Sequence, residues 1–267
     1  MIDVHCHLNF HAFAKDYDTV LKRATDAGVS RVINAGTKLD SSKKAVELTQ
    51  QYVNCSAIVG VHPHHADKHD LSSDWLDELE NLAKQPYVVA IGEIGMDYYR
   101  YQSNGIVDRF LQQEIFESQI ELAHKLSLPI QIHNRHAGND VIAILKKKKH
   151  FLKQYNPGMF HCFAGSLNIL HDALDLGFFI GFDGNITYPG LAPGETVSLT
   201  EIARRTPLER IVTETDSPFL SPIPYRRSRN EPSRVILVGE FLAHIKGVSF
   251  ASIDEATTRN AKQLFGI

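Results

Sequence analysis

The sequence is poor in cysteine, nearly balanced in charge and free of long apolar runs, and each shortage excludes a class of protein. Its 267 residues include three cysteines, Cys6, Cys55 and Cys162, and none belongs to a CxxC pair. A disulfide framework or a thiolate zinc site is therefore not expected, and a reducing cytoplasm fits this cysteine usage. The formal net charge is -3, so any nucleic-acid binding must use a local basic patch.

Signals for membranes and secretion are also lacking. No window approaches the roughly 18 continuous apolar residues of a transmembrane helix, and no basic segment precedes an apolar stretch at the N-terminus. Hydrophobic residues make up 43% and charged residues 22%, with no low-complexity linker between them. We therefore expect residues 1–267 to form a single cytoplasmic domain with a large core, without membrane contact and without an obligate protein partner.

What the sequence does contain is an alternation of short apolar runs with longer amphipathic segments. Segments such as 17–28 and 109–128 carry apolar residues at helical spacing, and Ser41 and Ser166 are predicted helix N-caps. Strand–helix alternation predicts a parallel sheet, and eight such units predict closure into an α/β fold of the (β/α)8 TIM-barrel type. The predicted strands are 2–4, 31–34, 56–60, 87–92, 129–132, 158–160, 178–182 and 210–213.

Side chains that can bind metal follow six of the predicted strands, counting His62 and His64 after strand 56–60. In a TIM barrel the carboxyl ends of all strands meet at one rim. Residues i and i+2 of a strand point to the same side, so His5 and His7 can hold one ion while Cys6 faces away. Alone this pair is a weak signal, because most histidines are packed or solvated. The joint pattern predicts a metal centre built from His5, His7, Glu93, His133, His161 and Asp216.

Four histidines and two carboxylates exceed the needs of one four-coordinate ion. We therefore predict two divalent cations about 3.5–4 Å apart, bridged by a carboxylate. Glu93 is the expected bridge, because its strand lies between the two groups of ligands. This ligand chemistry suits zinc, manganese or iron, and a weaker second site could take magnesium. The remaining ligands are then His5, His7 and Asp216 for the first ion, and His133 and His161 for the second.

Each of these residues also has an ordinary structural explanation. His133 could be a core histidine bonded to a backbone carbonyl, and Glu93 could form a rim ion pair with Arg135. Asp216 precedes Ser217-Pro218 and could shape a turn or cap a helix. Those explanations each account for one residue, whereas the metal centre accounts for six together.

Further residues near the rim are candidates for binding a substrate phosphate. His62, which precedes Pro63, and His64 could contact a phosphate, and Arg135 could neutralise charge on phosphoryl oxygens. The loop after the eighth strand occupies a position that often binds phosphate in barrels. Its candidate contacts are Arg226, Arg227 and Arg229.

Tyr98 and Tyr99 could stack an unpaired base at the rim, although rim tyrosines equally often serve only for packing. The lysines at 146–149 end a helical pattern, and we expect a solvated helix end there. The other histidines are expected on the surface or on helices: His11, His65, His69, His124, His136, His150, His171 and His244.

Seven motifs occur in an order that identifies a family: DVHCHLNF, GVHPHHA, AIGEIGMDYYR, LPIQIHNRHA, HCFAGS, ETDSPFLSP and RNEPSRV. From Ile2 to the terminal NAKQLFGI, the chain resembles the TatD family of metal-dependent deoxyribonucleases, within the amidohydrolase-like barrels. The resemblance implies a (β/α)8 fold, two divalent cations and hydrolysis of DNA phosphodiester bonds. It assigns the metal to the same six ligands.

The resemblance also implies a substrate and a mechanism. DNA is the expected partner, as single strands or 3' ends for an exonuclease, or at abasic sites for an endonuclease. Two such cations lower the pKa of a water molecule towards neutrality, and Asp216, with Glu93, would act as a catalytic residue that orients this water and takes its proton. Three positions depart from the family pattern and concern substrate preference: Asn9, His136 and Ala164.

Three other functions are compatible with parts of this pattern. One is an amidohydrolase acting on a small metabolite, but such relatives commonly bridge their metals with a modified lysine where this chain has Glu93. Another is an ester hydrolase acting on aminoacylated RNA. The third is a non-catalytic metal-binding or nucleic-acid-binding barrel, against which the full ligand set argues.

Overall fold

The computed structural model describes residues 1–67, 71–101, 105 and 107–267. The predicted surface residue His69 lies outside this part of the chain. Each strand pairs in parallel with the next along the chain, in a single eight-stranded sheet. This confirms the predicted (β/α)8 TIM barrel. The strands are β1 (Ile2–Cys6), β2 (Arg31–Ala35), β3 (Cys55–Val59), β4 (Val88–Asp97), β5 (Ile130–Arg135), β6 (Gly158–Phe160), β7 (Phe179–Phe182) and β8 (Ile211–Thr213).

Contacts between the first and last strands bring the sheet round on itself. The Thr213 hydroxyl donates a hydrogen bond to the Ile2 carbonyl oxygen at 3.4 Å. At the end of β1, Cys6 forms a parallel bridge with Ser217, which lies beyond the end of β8. The His7 amide donates to the Ser217 carbonyl at 2.7 Å, so the loop after β8 is held against the start of the loop after β1.

Helices lie between the strands along the chain and cover the outside of the sheet. Their apolar positions recur at helical spacing, as the sequence predicts for segments 17–28 and 109–128. The α-helices of the described residues are α1 (Tyr17–Asp26), α2 (Leu39–Gln51), α3 (Trp75–Ala83), α4 (Arg109–Leu126), α5 (Gly138–Lys147), α6 (Leu167–Asp175), α7 (Leu199–Arg205), α8 (Val235–Lys246) and α9 (Phe250–Phe265).

The two predicted helix caps had different outcomes. The Ser166 hydroxyl accepts a hydrogen bond from the Ile169 amide at 3.4 Å, which confirms Ser166 as the N-cap of α6. The prediction for Ser41 was wrong, because α2 begins two residues earlier. The Ser41 hydroxyl instead accepts from the amides of Thr37 and Lys38, at 2.8 and 3.0 Å, and so fixes the chain just before the helix.

Buried apolar side chains form separate layers inside and outside the barrel. The interior layer contains Val4, Met159 and Phe179, and the last helix adds Leu264 and Phe265 to it. A larger layer fills the space between the strands and the surrounding helices. Because α9 contributes to the interior layer, one end of the barrel is packed with apolar groups and the opposite end is left for polar residues.

The expected solvated helix end is confirmed for Lys146 and Lys147, whose side chains are 54% and 64% exposed, but not for Lys148, whose side chain is 13% exposed. Lys146 and Lys148 pair with Asp172 and Glu121, at 2.7 and 2.6 Å, on the outer surface where α5 ends.

Among the described residues no single helix is long and apolar enough to span a bilayer. Only the consecutive segments 232–246 and 250–265, bent by 112° relative to one another, meet that criterion as a pair.

Candidate metal centre at the carboxyl rim of the barrel

The six predicted ligand residues come together at the carboxyl rim of the barrel, where Glu93 lies within β4. His5 lies within β1 and His7 follows it, so their side chains project to the same side. Their Nε2 atoms are 3.0 Å apart. The Asp216 Oδ1 atom lies 3.6 Å from the Nε2 of His5 and 3.3 Å from that of His7. These three residues form one compact group of potential ligand atoms.

Glu93 lies between this group and a second one. Its Oε2 is 3.8 Å from the Nε2 atoms of both His5 and His7. Its Oε1 faces the other way, 2.7 Å from the His133 Nδ1 and 3.5 Å from the His161 Nε2. Each carboxylate oxygen therefore faces a different set of histidines. A bridging role for Glu93 fits this arrangement, and the assignment of ligands to individual ions stays a prediction.

The rings of the β1 histidines are fixed by hydrogen bonds at their outer nitrogen. The His5 Nδ1 lies 2.6 Å from the Gln131 Oε1, and the Gln131 amide nitrogen donates to the Val4 carbonyl. The His7 Nδ1 lies 2.9 Å from the Ala35 carbonyl oxygen. Both acceptors require the proton on Nδ1, so each Nε2 presents its lone pair to the centre, as metal-binding histidines do.

Carboxylates do the same for the second pair of histidines. The His161 Nδ1 is 3.1 Å from the Glu214 Oε2, which leaves its Nε2 facing Glu93. The His133 Nε2 is 3.0 Å from the Asp97 Oδ2, which leaves its Nδ1 facing Glu93. A carboxylate behind a ligating histidine sets its tautomer and raises its basicity. The donor set and its tautomers therefore fit divalent transition-metal ions.

Carboxylates of the centre raise the pKa of both histidines of the second group. Burial disfavours charged His133, but its hydrogen bonds to Asp97 and Glu93 outweigh burial and raise its pKa to about 9. Burial is likewise outweighed at His161, where the charges of Glu214 and Glu93 raise the pKa to about 10. Burial alone would raise the pKa of Glu93, yet the neighbouring histidines hold it well below its ordinary value. The pocket thus stabilises concentrated positive charge.

His62 lies beside the second group of ligands, and its nitrogen that faces the centre carries a proton. Its Nδ1 accepts a hydrogen bond from the His64 amide at 3.0 Å, so the neutral ring carries its proton on Nε2. That Nε2 is 3.6 Å from the Glu93 Oε1. Burial and the charge of His133 hold the pKa of His62 well below its ordinary value. A neutral Nε2–H donor suits the predicted phosphate contact better than a role as metal ligand.

Three of the predicted rim contacts, after β3, after β4 and at the end of β5, lie together at the mouth of the barrel. The Arg135 guanidinium lies 3.8 Å from the centroid of the Tyr99 ring, which is 38% exposed. His64 lies beside the same group, with its ring 3.8 Å from that of Tyr101. Arg135 also donates to the Tyr101 hydroxyl at 3.0 Å. These residues therefore line the mouth together.

Tyr98 is directed differently from its neighbour. Its hydroxyl donates to Asp140 of α5 at 2.5 Å, and its ring lies under the guanidinium of Arg109, 3.9 Å from the ring centroid. The half-buried ring also packs against the apolar layer outside the barrel. The predicted stacking of a base on Tyr98 does not fit this arrangement, because Asp140 and Arg109 hold its hydroxyl and its ring.

The arginines after β8 also differ from one another. Arg226 and Arg227 are exposed, and the Arg226 guanidinium lies 4.2 Å from the centroid of the Tyr188 ring. Arg229 instead forms two hydrogen bonds with Asp16, at 2.9 and 2.6 Å, and one with the Ala12 carbonyl at 2.7 Å. Its guanidinium holds the loop to the loop after β1, so we withdraw Arg229 from the predicted phosphate contacts.

Three residues of the centre were missing from the predicted site. Glu214 precedes Asp216 by two positions, and Gln131 precedes His133 by two. Both could have been found by extending the i, i+2 rule one step back along each strand. Asp97 could have been found because it ends the same strand as Glu93. All three are buried polar groups that hold the histidines in place.

Comparison with known proteins was consistent with this centre. A family model described as TatD related DNase matches residues 2–266. The uncharacterized metal-dependent hydrolase YabD of Bacillus subtilis (strain 168) is 36% identical over 267 residues, covering 100% of this chain and 99% of that protein. The 3'-5' ssDNA/RNA exonuclease TatD of Citrobacter rodentium (strain ICC168) is 35% identical over 274 residues, covering 100% of this chain and 98% of that protein.

A solved structure agrees with the architecture. The chain superposes on the TatD homolog YJJV from Escherichia coli k12 with a TM-score of 0.90 and 28% sequence identity. The superposition covers 100% of this chain and 98% of that chain. The fold of this chain is therefore similar to that of a solved TatD homolog.

Proposed function

The chain belongs to the TatD family of metal-dependent hydrolases, and from this premise we propose that it is a deoxyribonuclease that hydrolyses phosphodiester bonds in single-stranded DNA or at 3' ends. One observation carries the proposal. Four histidines, each with one ring nitrogen fixed by an outer partner, turn the other nitrogen towards Glu93 and Asp216. The relative from Citrobacter rodentium, which is named an exonuclease on single-stranded DNA and RNA, supports this substrate class.

Two divalent cations, held by the six ligands, would act as Lewis acids on the phosphoryl group and lower the pKa of a water molecule. Asp216 keeps one oxygen near His5 and His7. Its other oxygen would orient the attacking water and accept its proton. The Nε2–H of His62 would donate to a phosphoryl oxygen beside Glu93. Arg135 would add positive charge at the mouth.

Exposed aromatic residues favour an unpaired strand over a duplex. The Tyr99 ring, backed by Arg135, offers a surface on which a base can stack only when it is not paired within a helix. Arg226 and Arg227 lie on the loop after β8 and can neutralise phosphates along the strand. With a net charge of -3, such local cations must supply the attraction.

A metal screen with three DNA forms tests the proposal. Purified protein is freed of metal, reloaded with zinc, manganese or magnesium, and given end-labelled single-stranded, double-stranded and abasic DNA. We expect metal-dependent cleavage of the single strand, lost in Glu93→Gln but kept in the exposed carboxylate control Glu209→Gln. Turnover of a cyclic amide, a lactone or charged tRNA, without DNA cleavage under any metal, would contradict it.

A further inference from the structure

A second aromatic surface lies at the mouth, on the side opposite Tyr99. The Phe10 ring stacks on the His7 ring, with 4.5 Å between centroids and 12° between planes. The Phe219 ring meets Phe10 edge-on at 6.2 Å and approaches His7 at 6.3 Å. Phe219 is nevertheless 51% exposed, and neither phenylalanine belongs to the apolar clusters found among the described residues.

Backbone hydrogen bonds hold Phe219 in this place. Its amide donates to the Asp216 carbonyl at 2.8 Å, which closes a tight turn directly after a candidate metal ligand. The Pro218 carbonyl accepts from the Asn230 amide at 2.9 Å, and the Asn230 side chain donates to the Thr215 carbonyl at 2.8 Å. An exposed ring held in a fixed position beside the metal centre is preorganised for contact with a ligand.

The order of strands places this surface across the mouth from the first one. Phe10 follows β1 and Phe219 follows β8, whereas Tyr99 and Arg135 lie at the ends of β4 and β5. In an eight-stranded barrel with consecutive neighbours, these pairs of strands lie on opposite sides. A phosphate at the metal centre would therefore have an aromatic surface on either side of it.

We propose that Phe219, supported by Phe10, binds the nucleobase next to the phosphate at the metal centre, so that the site distinguishes a nucleotide from a sugar phosphate without a base. This inference rests on the proposed function, because it takes the phosphate to lie among the metal ligands. Stacking on an aromatic side chain tolerates any base, since every base has a π-face. The surface selects for the presence of a base and not for its sequence.

Nucleotide binding to the metal-loaded protein tests this role. Calorimetry compares thymidine 5'-monophosphate and thymidine 3'-monophosphate with the corresponding deoxyribose phosphates, so that a base on either side of the phosphate is detected. We expect wild type to prefer at least one nucleotide by roughly 5- to 150-fold, the range of a single stacking contact. Phe219→Ala and Phe219→Leu should reduce the ratio of nucleotide affinity to sugar-phosphate affinity towards one, whereas Phe219→Trp should keep that ratio.

Controls separate stacking from loss of structure. Tyr155→Ala removes a ring that is 76% exposed on the loop before β6, at the other end of the barrel, and should leave the ratio unchanged. Metal content and melting temperature are measured for every variant. A nucleotide preference that persists in both Phe219→Ala and Phe219→Leu, or is absent from wild type, overturns the proposal. Failure to cut DNA would overturn the nuclease proposal alone, because the binding ratio does not depend on cleavage.

Discussion

The two ends of this barrel are built from the same strands but use opposite chemistry. At one end, Val4 and Phe179 pack with Leu264 of the last helix in an apolar interior. At the other end, His5 and Glu93 are buried among charged and polar groups. Burial of apolar surface stabilises the fold, whereas burial of charged groups opposes it. The comparison indicates that stability and activity are largely separable by position along a strand.

The strongest test removes the residue shared by both groups of ligands. Glu93→Gln should lower metal-dependent hydrolysis by about 10³-fold or more, because bound metal contributes several kcal/mol to such reactions. Rates at saturating metal are measured together with the melting temperature. A variant that cleaves DNA at the wild-type rate would show that the polar end does not carry the chemistry as described.

The converse test makes a cavity at the apolar end. Leu264→Ala should lower the free energy of unfolding by about 2–5 kcal/mol, the usual cost of removing a buried leucine side chain. Denaturant unfolding measures the change, with Val53→Ala as a control at a side chain that is 86% exposed. Activity per folded molecule should stay near the wild-type value. A selective loss of activity, with stability intact, would mean that the two ends are coupled.

A third test concerns the carboxylate behind a ligand. Glu214 is fully buried and accepts hydrogen bonds from the His161 ring and the Cys162 amide. Glu214→Gln should weaken metal affinity by about 10- to 100-fold, as is usual for groups that orient a ligand. Chelator competition measures the affinity, with Glu209→Gln as a control before the same strand. Activity should recover at high metal concentration, and an unchanged affinity would contradict the orienting role.

The sequence predicted the barrel and its rim because both follow from periodic rules. Alternation of strands and helices determines the fold, and strand ends must converge in a closed parallel sheet. The directions of loop side chains do not follow from such rules. Tyr98 and Tyr99 are adjacent, yet one packs against α5 and the other faces the mouth. That choice depends on Asp140, which lies far along the chain and offers no local signal.

The arginines after β8 give the smallest predicted effect. They allow residues that stabilise the fold and residues that bind substrate to be compared within one loop. Arg229 is engaged by Asp16, so Arg229→Ala should cost at most about 1 kcal/mol of unfolding free energy, as half-exposed ion pairs do. Arg226→Ala should leave stability unchanged. It should lower the slope of log affinity for single-stranded DNA against log salt concentration by about one, which is the contribution of one phosphate contact. Binding is measured by fluorescence anisotropy from low to high salt, in parallel with denaturant unfolding. If Arg229→Ala changed the salt slope and Arg226→Ala did not, the assignment of one arginine to the fold and the other to the substrate would have to be reversed.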